Sequence, residues 1–429
     1  MSSMMYRRSF LGGSALAVLA TGCGRSGPRS AGPGSGAGGA SAAPADVDLS
    51  ALDEHLATLA AAGRFSGVVQ VAHLGRTVLA AAYGMADRAA GAANTPRTLF
   101  CIGSLNKMFT GVAVAQLAGR RLLSFDDPVG KFLDGFPPET ASAVRLRHLL
   151  THTSGLGDIF DDEGGGAEVT AENHTIDALL ARIRREPPRF APGSGYSYSN
   201  AGFVVLGAIV ERVTGQAYAD YTREHVFTPA GMRDTVVRSR RPVDVGGMAH
   251  PYALVGPDGR PLDLGPAPAA ELPPGTETRD LGDQVQGASP AGGAVSTAAD
   301  LVGFADALLR HRLLSRELTD LVLAGKVQLT QPAPAPGDAG TGGSGPGAAP
   351  APAPGGGPVR TGPVEPPRYG YGFLDRRING TRVVGHNGGT PGYEADLAIY
   401  PDSGYAVAIL ANQDQVLLSA SARAEELLT

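Results

Sequence analysis

Ser104 and Lys107 stand three positions apart, a spacing that puts a hydroxyl and an amine on one face of a helix. A serine hydroxyl is a weak nucleophile and needs a base beside it. A lysine amine in a desolvated place titrates low enough to help, and the N–H groups at a helix start steady an oxyanion. The elements that must carry the pair are legible around it. An extended run from Thr98 to Ile102 ends at Gly103, and Met108, Val112, Val114 and Leu117 then recur with helical spacing before Gly119. The pattern predicts a strand or loop feeding a helix, with Ser104 at the helix N-terminus. By itself the S-x-x-K pair is more simply a capping serine and a solvated lysine.

The rest of the composition narrows the chemistry. The chain has 429 residues, room for one large domain or two, and 43% of them are hydrophobic, enough for a sizeable core. The net charge is -5 and no basic block follows the leader, so no nucleic-acid partner is expected. The cysteines are Cys23 and Cys101, and neither C-x-x-C nor H-E-x-x-H occurs, so the reading is no metal and no cofactor. G-x-S-x-G is missing, which removes the nucleophile elbow of the α/β-hydrolases. No apolar run is long enough for a mature transmembrane helix.

Residues 1–23 read as an export signal. Arg7-Arg8-Ser9-Phe10-Leu11 has the twin-arginine form and is followed by a modest apolar core to Ala20. The alternative is an ordinary secretory leader whose arginines are its charged n-region. Ala20-Thr21-Gly22-Cys23 resembles a bacterial lipobox with its leucine displaced to Leu19, which makes Cys23 the candidate lipidation site. The expected location is the extracytoplasmic face of the cell envelope, with a lipid at Cys23 as the membrane contact. Residues 24–45 are Gly, Ser, Ala and Pro and read as a flexible tether.

From residue 46 onward the periodicity changes repeatedly. A helix is expected over 46–62, then a hairpin of two β-rich runs, Gly67 to Leu74 and Thr77 to Tyr83, joined across Gly75-Arg76. Helices are expected over 146–153, 175–185, 201–213 and from the cap at Ser296-Thr297 to about Leu309. Tyr196 to Asn200 is placed on a loop, and 240–287 is rich in turn residues. Residues 331–367 are Pro/Gly/Ala low complexity and read as a disordered insertion, not a domain boundary. Strands follow over 383–386, 394–400 and 405–411, and a helix closes the chain over 415–428. The pattern is an α/β (α+β) domain over 46–429. Its α/β lobe covers about 46–103 and 290–429, and its helical lobe about 104–289.

With these stretches in place the chain resembles the serine β-lactamase and penicillin-binding superfamily. It looks closest to the branch of class C β-lactamases, D,D-carboxypeptidases, D-aminopeptidases and related esterases. Ser104-Leu105-Asn106-Lys107 matches S-x-x-K, Tyr198-Ser199-Asn200 matches Y-x-N, and His386-Asn387-Gly388 matches K-T-G in its H-x-G form. His148 to Leu156, Asp126-Asp127-Pro128 and Gly292 to Leu301 match the same branch, in the same order.

The resemblance implies a β-lactamase/transpeptidase-like fold, with an antiparallel sheet flanked by helices and a mostly helical lobe. It makes Ser104 the acyl-accepting nucleophile, with Lys107 sharing its proton network. Tyr198, as phenolate or relay, would deprotonate Ser104, and a Lys107 cation would favour that phenolate. Asn200 would bond Lys107 or a substrate amide. The N–H groups of Ser104 and Gly389 would form the oxyanion hole, with Gly388 and His386 completing the substrate edge. His386 stands where lactamases carry lysine and is expected to face the substrate. Largely neutral at pH 7, it offers little charge to a substrate carboxylate and so favours esters over β-lactams. His148, His152 and Cys101 read as structural.

The function these residues imply is an exported serine hydrolase that forms an acyl-enzyme on esters or peptide-like amides. A D,D-carboxypeptidase or β-lactamase, acting on a peptidoglycan-like substrate, is the alternative within enzymes. A catalytically silent envelope lipoprotein is the alternative of another class, and the intact Ser, Lys, Tyr and His set argues against it. The oligomeric state is left open by the sequence.

Overall fold

The computed structural model describes residues 47–159, 175–237, 245–262, 272–282, 287–329 and 365–429. The leader with Cys23, the tether and nearly all of the 331–367 segment lie outside the described residues, as do parts of the loops over 158–175 and 240–287.

An eight-stranded sheet forms the frame. Its strands are β1 (Gly67–His73), β2 (Arg76–Tyr83), β3 (Val327–Gln328), β4 (Arg368–Tyr369), β5 (Leu374–Ile378), β6 (Thr381–Thr390), β7 (Tyr393–Tyr400) and β8 (Tyr405–Ala411). They lie in the order β2-β1-β8-β7-β6-β5-β4-β3, and every pairing is antiparallel. The strand β8 explains the burial of both faces. Its run Tyr-Ala-Val-Ala-Ile-Leu-Ala is apolar at every position and buried throughout. Side chains alternate across a strand, so such a run must cover two cores. Val407 and Ile409 join one core with Leu52, Leu56 and Leu59, while Ala408 and Leu410 join the other with Phe109 and Val112.

The first core is closed by α1 (Ser50–Ala61) and α7 (Leu417–Leu428). The second holds α2 (Asn106–Gly119), α3 (Leu146–Leu150), α4 (Ile176–Ile183), α5 (Asn200–Thr214) and α6 (Ala298–Leu309). Almost every residue of α2 is buried, polar ones included. A helix that is apolar nearly all round belongs inside a domain, so whatever sits at its N-terminus is held from every side.

Two local details differ from the sequence expectation. The β1–β2 turn is Leu74-Gly75, both at positive φ (51° and 80°), and Arg76 already pairs with His73 on β2. Two left-handed residues in a row match the twist of the strands they join, which is why the turn takes Leu74 in place of Arg76. The turn-rich region also contains a strand pair, Tyr252–Val255 with Glu277–Asp280, and Tyr252 bridges to Gln413 beyond β8. Among the described residues no helix is long and apolar enough to cross a membrane.

Candidate active site

The nucleophile candidate sits on a turn fixed from three directions. Phe100–Cys101 pairs with Val295–Ser296, delivering the chain into a single 3-10 turn, Gly103–Leu105, that runs straight into α2. Ile102 N–H donates to Ala294 O (2.9 Å), and Gly293 N–H donates to Gly103 O (3.1 Å). The end of β6 lies against the other side. A Cβ on Gly388 would meet Ile102 O at 2.4 Å and Ser104 N at 2.6 Å. Only a glycine lets that strand approach the Ser104 amide so closely.

Lys107 is one turn along the helix and fully buried at 0% exposure, not solvated. Its amine donates to Ser104 Oγ (3.1 Å), Asn200 Oδ1 (2.6 Å) and Ala291 O (2.6 Å). Three acceptors saturate an ammonium. Burial nonetheless pulls the amine down to about 7, with Asp158 opposing the shift. The amine is therefore poised to hold or release a proton near neutral pH.

Tyr198 approaches Ser104 from the segment that leads into α5. Its hydroxyl donates to Ser104 Oγ at 2.8 Å, and the Lys107 amine lies 4.8 Å from its ring centroid. Burial of the hydroxyl pushes Tyr198 well up from the usual phenol range, and the bond to Ser104 offsets only part of that. Of the two expected roles, phenolate or relay, the direction of this shift favours the relay: the hydroxyl that keeps its proton donates to Ser104 Oγ.

The segment carrying Tyr198 is tied down by its neighbours. Ser199 caps α5, its Oγ accepting from Gly202 N–H (3.3 Å) and donating to Gly157 O (2.9 Å). Asn200 is the first residue of α5, not a loop residue, because Ser199 supplies the cap one position earlier. Ser199 N–H donates to His152 Nδ1 (3.1 Å), and the His152 ring lies 4.3 Å from that of Tyr198. Tyr196, two residues before Tyr198, packs towards Tyr369 at a centroid distance of 6.4 Å. His148 accepts from Arg145 N–H and closes the start of α3. Both histidines are thus held structurally.

His386 is 4% exposed, its side chain enclosed by the protein. Tyr369 Oη lies 2.8 Å from Nε2, and Nδ1 meets the Asn387 carbonyl. Burial, then the nearby Lys107, pulls the ring down to about 3. The expectation that it faces the substrate is corrected on this point: both ring nitrogens already have partners inside the protein.

The structure thus brings Ser104, Lys107, Tyr198 and Asn200 together, with Gly388 and Gly389 against the Ser104 turn and His386 buried on the same strand. Three participants were missed in the sequence. Asp158 accepts from Asn200 Nδ2 at 3.1 and 2.9 Å through its two carboxylate oxygens. Ala291 contributes a carbonyl, for which no side chain gives a signal. Tyr369 lies two residues beyond the low-complexity stretch. None of the three belongs to a motif, although Asp158 lies two residues beyond the His148 to Leu156 stretch. Among the described residues no group of three or more His, Cys, Asp and Glu could hold a metal ion.

A family model described as Beta-lactamase matches residues 52–428. The chain is 36% identical over 261 residues to esterase EstB of Burkholderia gladioli, a match covering 57% of this chain and 63% of that protein. It is 28% identical over 336 residues to penicillin-binding protein 4 of Amycolatopsis lactamdurans, covering 77% of this chain and 76% of that one. Among solved structures it is similar to a penicillin binding protein from Bacillus halodurans. That likeness has a TM-score of 0.68 at 28% identity, over 87% of this chain and 99% of the other.

Proposed function

This chain belongs to the beta-lactamase family and is a serine hydrolase of the β-lactamase/transpeptidase-like fold, and we propose that it works through an acyl-enzyme at Ser104. The observation that carries the reading is the pairing of Lys107 Nζ at 3.1 Å and Tyr198 Oη at 2.8 Å on one serine oxygen. Neutral Lys107 takes the Ser104 proton as Oγ attacks the carbonyl carbon. The N–H groups of Ser104 and Gly389 receive the oxyanion. Tyr198, held neutral, gives its proton to the leaving oxygen or nitrogen, and the Lys107 ammonium beside it compensates the transient phenolate. The Lys107 ammonium then returns its proton to the Tyr198 phenolate, and water attacks the acyl-enzyme, losing a proton to Lys107 while Tyr198 protonates the departing Ser104 Oγ.

Esters are the substrate class this reading favours, with peptide-like amides next. The support is the similarity to a protein named an esterase, and a site to which the buried His386 adds no positive charge that would attract a substrate carboxylate. The similarity to penicillin-binding proteins supports the alternative of a D,D-peptidase or β-lactamase acting on peptidoglycan-like amides. Labelling with a fluorophosphonate and with a fluorescent penicillin, in wild type and Ser104→Ala, tests the mechanism. Loss of both labels in a folded Ser104→Ala protein is expected, and a labelled Ser104→Ala protein overturns it.

Export and lipid anchoring at Cys23 are inferred from residues 1–23 alone. Membrane fractions of cells producing wild type and Cys23→Ser test this. Release of the Cys23→Ser protein to the soluble fraction is expected, and a protein that fractionates alike with and without Cys23 is not anchored there.

A further inference from the structure

Asp158 lies outside every motif that pointed to the site, yet its carboxylate meets one member of the site directly. The Asn200 amide stands between two opposite charges. Its Nδ2 donates to both Asp158 oxygens (3.1 and 2.9 Å), and its Oδ1 accepts from Lys107 Nζ (2.6 Å). An amide turned the other way would set its N–H groups against an ammonium and its oxygen against a carboxylate. We propose that Asp158 is a positioning residue of the acylation site: it fixes the Asn200 amide in the one orientation that seats the Lys107 amine beside Ser104 Oγ. The proposal rests on the acyl-enzyme reading above, with Lys107 as the base.

The groups that face Lys107 come from every element packed on it. Ser104 stands on its own turn, Tyr198 and Asn200 at the start of α5, and the Ala291 carbonyl on the loop before α6. His152 and Asp158 follow α3, and His386 lies on β6. Within this set Asp158 is the acid. It favours the Lys107 ammonium twice, by its own charge and by presenting the Asn200 oxygen. Removing the carboxylate weakens both effects, so the amine loses its proton more easily.

The sign of the expected effect is therefore fixed. Acylation needs neutral Lys107, so its rate climbs with pH through the Lys107 titration to a plateau. In Asp158→Asn that climb moves to lower pH, by about one unit for an opposite charge removed from the near surroundings. The experiment is the rate of fluorophosphonate labelling from pH 5 to pH 10 in the full chain, for wild type, Asp158→Asn and Asp158→Glu. Scaled to its own plateau, Asp158→Asn should label about tenfold faster than wild type at pH 5, the factor that one unit gives. Asp158→Glu, which keeps the charge, should return the climb towards its wild-type position.

A rate lowered equally at all pH values, or a climb that stays or moves up, overturns the proposal. Should Asp158→Asn not fold, Asp158→Ser carries the same expected shift, and a chain that folds with neither makes Asp158 a structural residue only. The acyl-enzyme reading fails separately, if Ser104→Ala still labels. An unlabelled Ser104→Ala protein together with an unmoved climb sinks the role of Asp158 alone.

Discussion

The Tyr369 hydroxyl stands 2.8 Å from His386 Nε2, on the opposite side of the ring from the nitrogen that meets the Asn387 carbonyl. A ring that donates at Nδ1 and accepts at Nε2 is the neutral tautomer with both positions filled. A proton added at Nε2 would place a buried positive charge near Lys107. His386 is therefore a neutral spacer between β6 and β4 that adds no positive charge beside Lys107.

That state has a consequence for stability. An unfolded histidine titrates near 6.5, whereas His386 in the fold is pulled down to about 3. Between those values the unfolded chain binds the extra proton, so folding stability rises with pH and is lost as pH falls from about 6.5. The slope from one such group is at most about 1.4 kcal/mol per pH unit. His152 is lowered by burial in the same sense. His55 and His148 are lowered as well, so His386→Gln should remove one of several contributions and flatten the fall in urea midpoint between pH 7 and pH 4. An unchanged slope would mean that the native ring already carries the proton.

Lys107 sets the expected pH profile of the reaction. With its amine pulled down to about 7, the acylation rate should rise through neutral pH and level off above it. His386 titrates too low to supply this limb and Tyr198 too high. The limb should therefore persist in His386→Gln, and Lys107→Arg, which cannot become neutral, should lose acylation by at least about a hundredfold. A limb that vanishes with His386 would transfer the base to the imidazole.

Tyr198→Phe separates proton donation from proton removal. The substitution deletes the hydroxyl that donates to Ser104 Oγ at 2.8 Å and leaves Lys107 in place. An alkyl ester needs a proton on its leaving oxygen, whereas p-nitrophenolate leaves without one. The expected loss in kcat/KM is about 10²- to 10⁴-fold for the alkyl ester and markedly less for the p-nitrophenyl ester. Equal losses for both would show that Tyr198 works on the attack, not on the departure.

How much of this was legible in the sequence follows the range of each contact. Ser104 and Lys107 meet within one helical turn, so spacing alone proposed them. Strand β8 was legible because a continuous apolar run bounded by turns has few other uses. Tyr198 and Asn200 come from a segment far along the chain and were found only through the order of the motifs. The strands β3 and β4, two residues each, are too short to show any period. Asp158 and Ala291 act through one carboxylate and one carbonyl whose positions depend on the whole fold. The buried state of His386 was missed because its partner Tyr369 lies across a sheet strand, not along its own.

Gly388→Ala should strike the reaction through geometry. The new methyl would stand 2.4 Å from Ile102 O and 2.6 Å from Ser104 N, both backbone atoms with no rotamer to yield. Strand β6 and the Ser104 turn must then move apart by several tenths of an ångström. Misplacement on that scale costs one to two orders of magnitude in rate, about the factor seen when reacting atoms shift by 1 Å. Labelling rate and melting temperature measured together decide the matter. A labelling rate within about twofold of wild type would mean that the Gly388 edge does not set the position of the Ser104 amide.

Shortening the low-complexity stretch should leave the site intact. The segment 330–364 joins β3 to β4, and these two strands are direct antiparallel neighbours, Tyr369 pairing with Val327 and Arg368 with Gln328. Leu329 N–H also donates to Pro367 O (3.0 Å), so the chain leaves and returns at one place. A connection whose ends already touch needs no length to bridge them, and hairpin loops of two to five residues do so routinely. Closing the shorter loop costs less entropy, by about 0.6 kcal/mol for each halving of its length. Replacing residues 330–364 with a four-residue Gly/Asn turn should therefore raise the melting temperature slightly. Tyr369 stays on β4 in that variant and keeps its bond to His386, so the labelling rate at Ser104 should stay within about twofold of wild type. A larger loss of labelling in a variant that melts as high as wild type would mean that the removed residues reach the substrate.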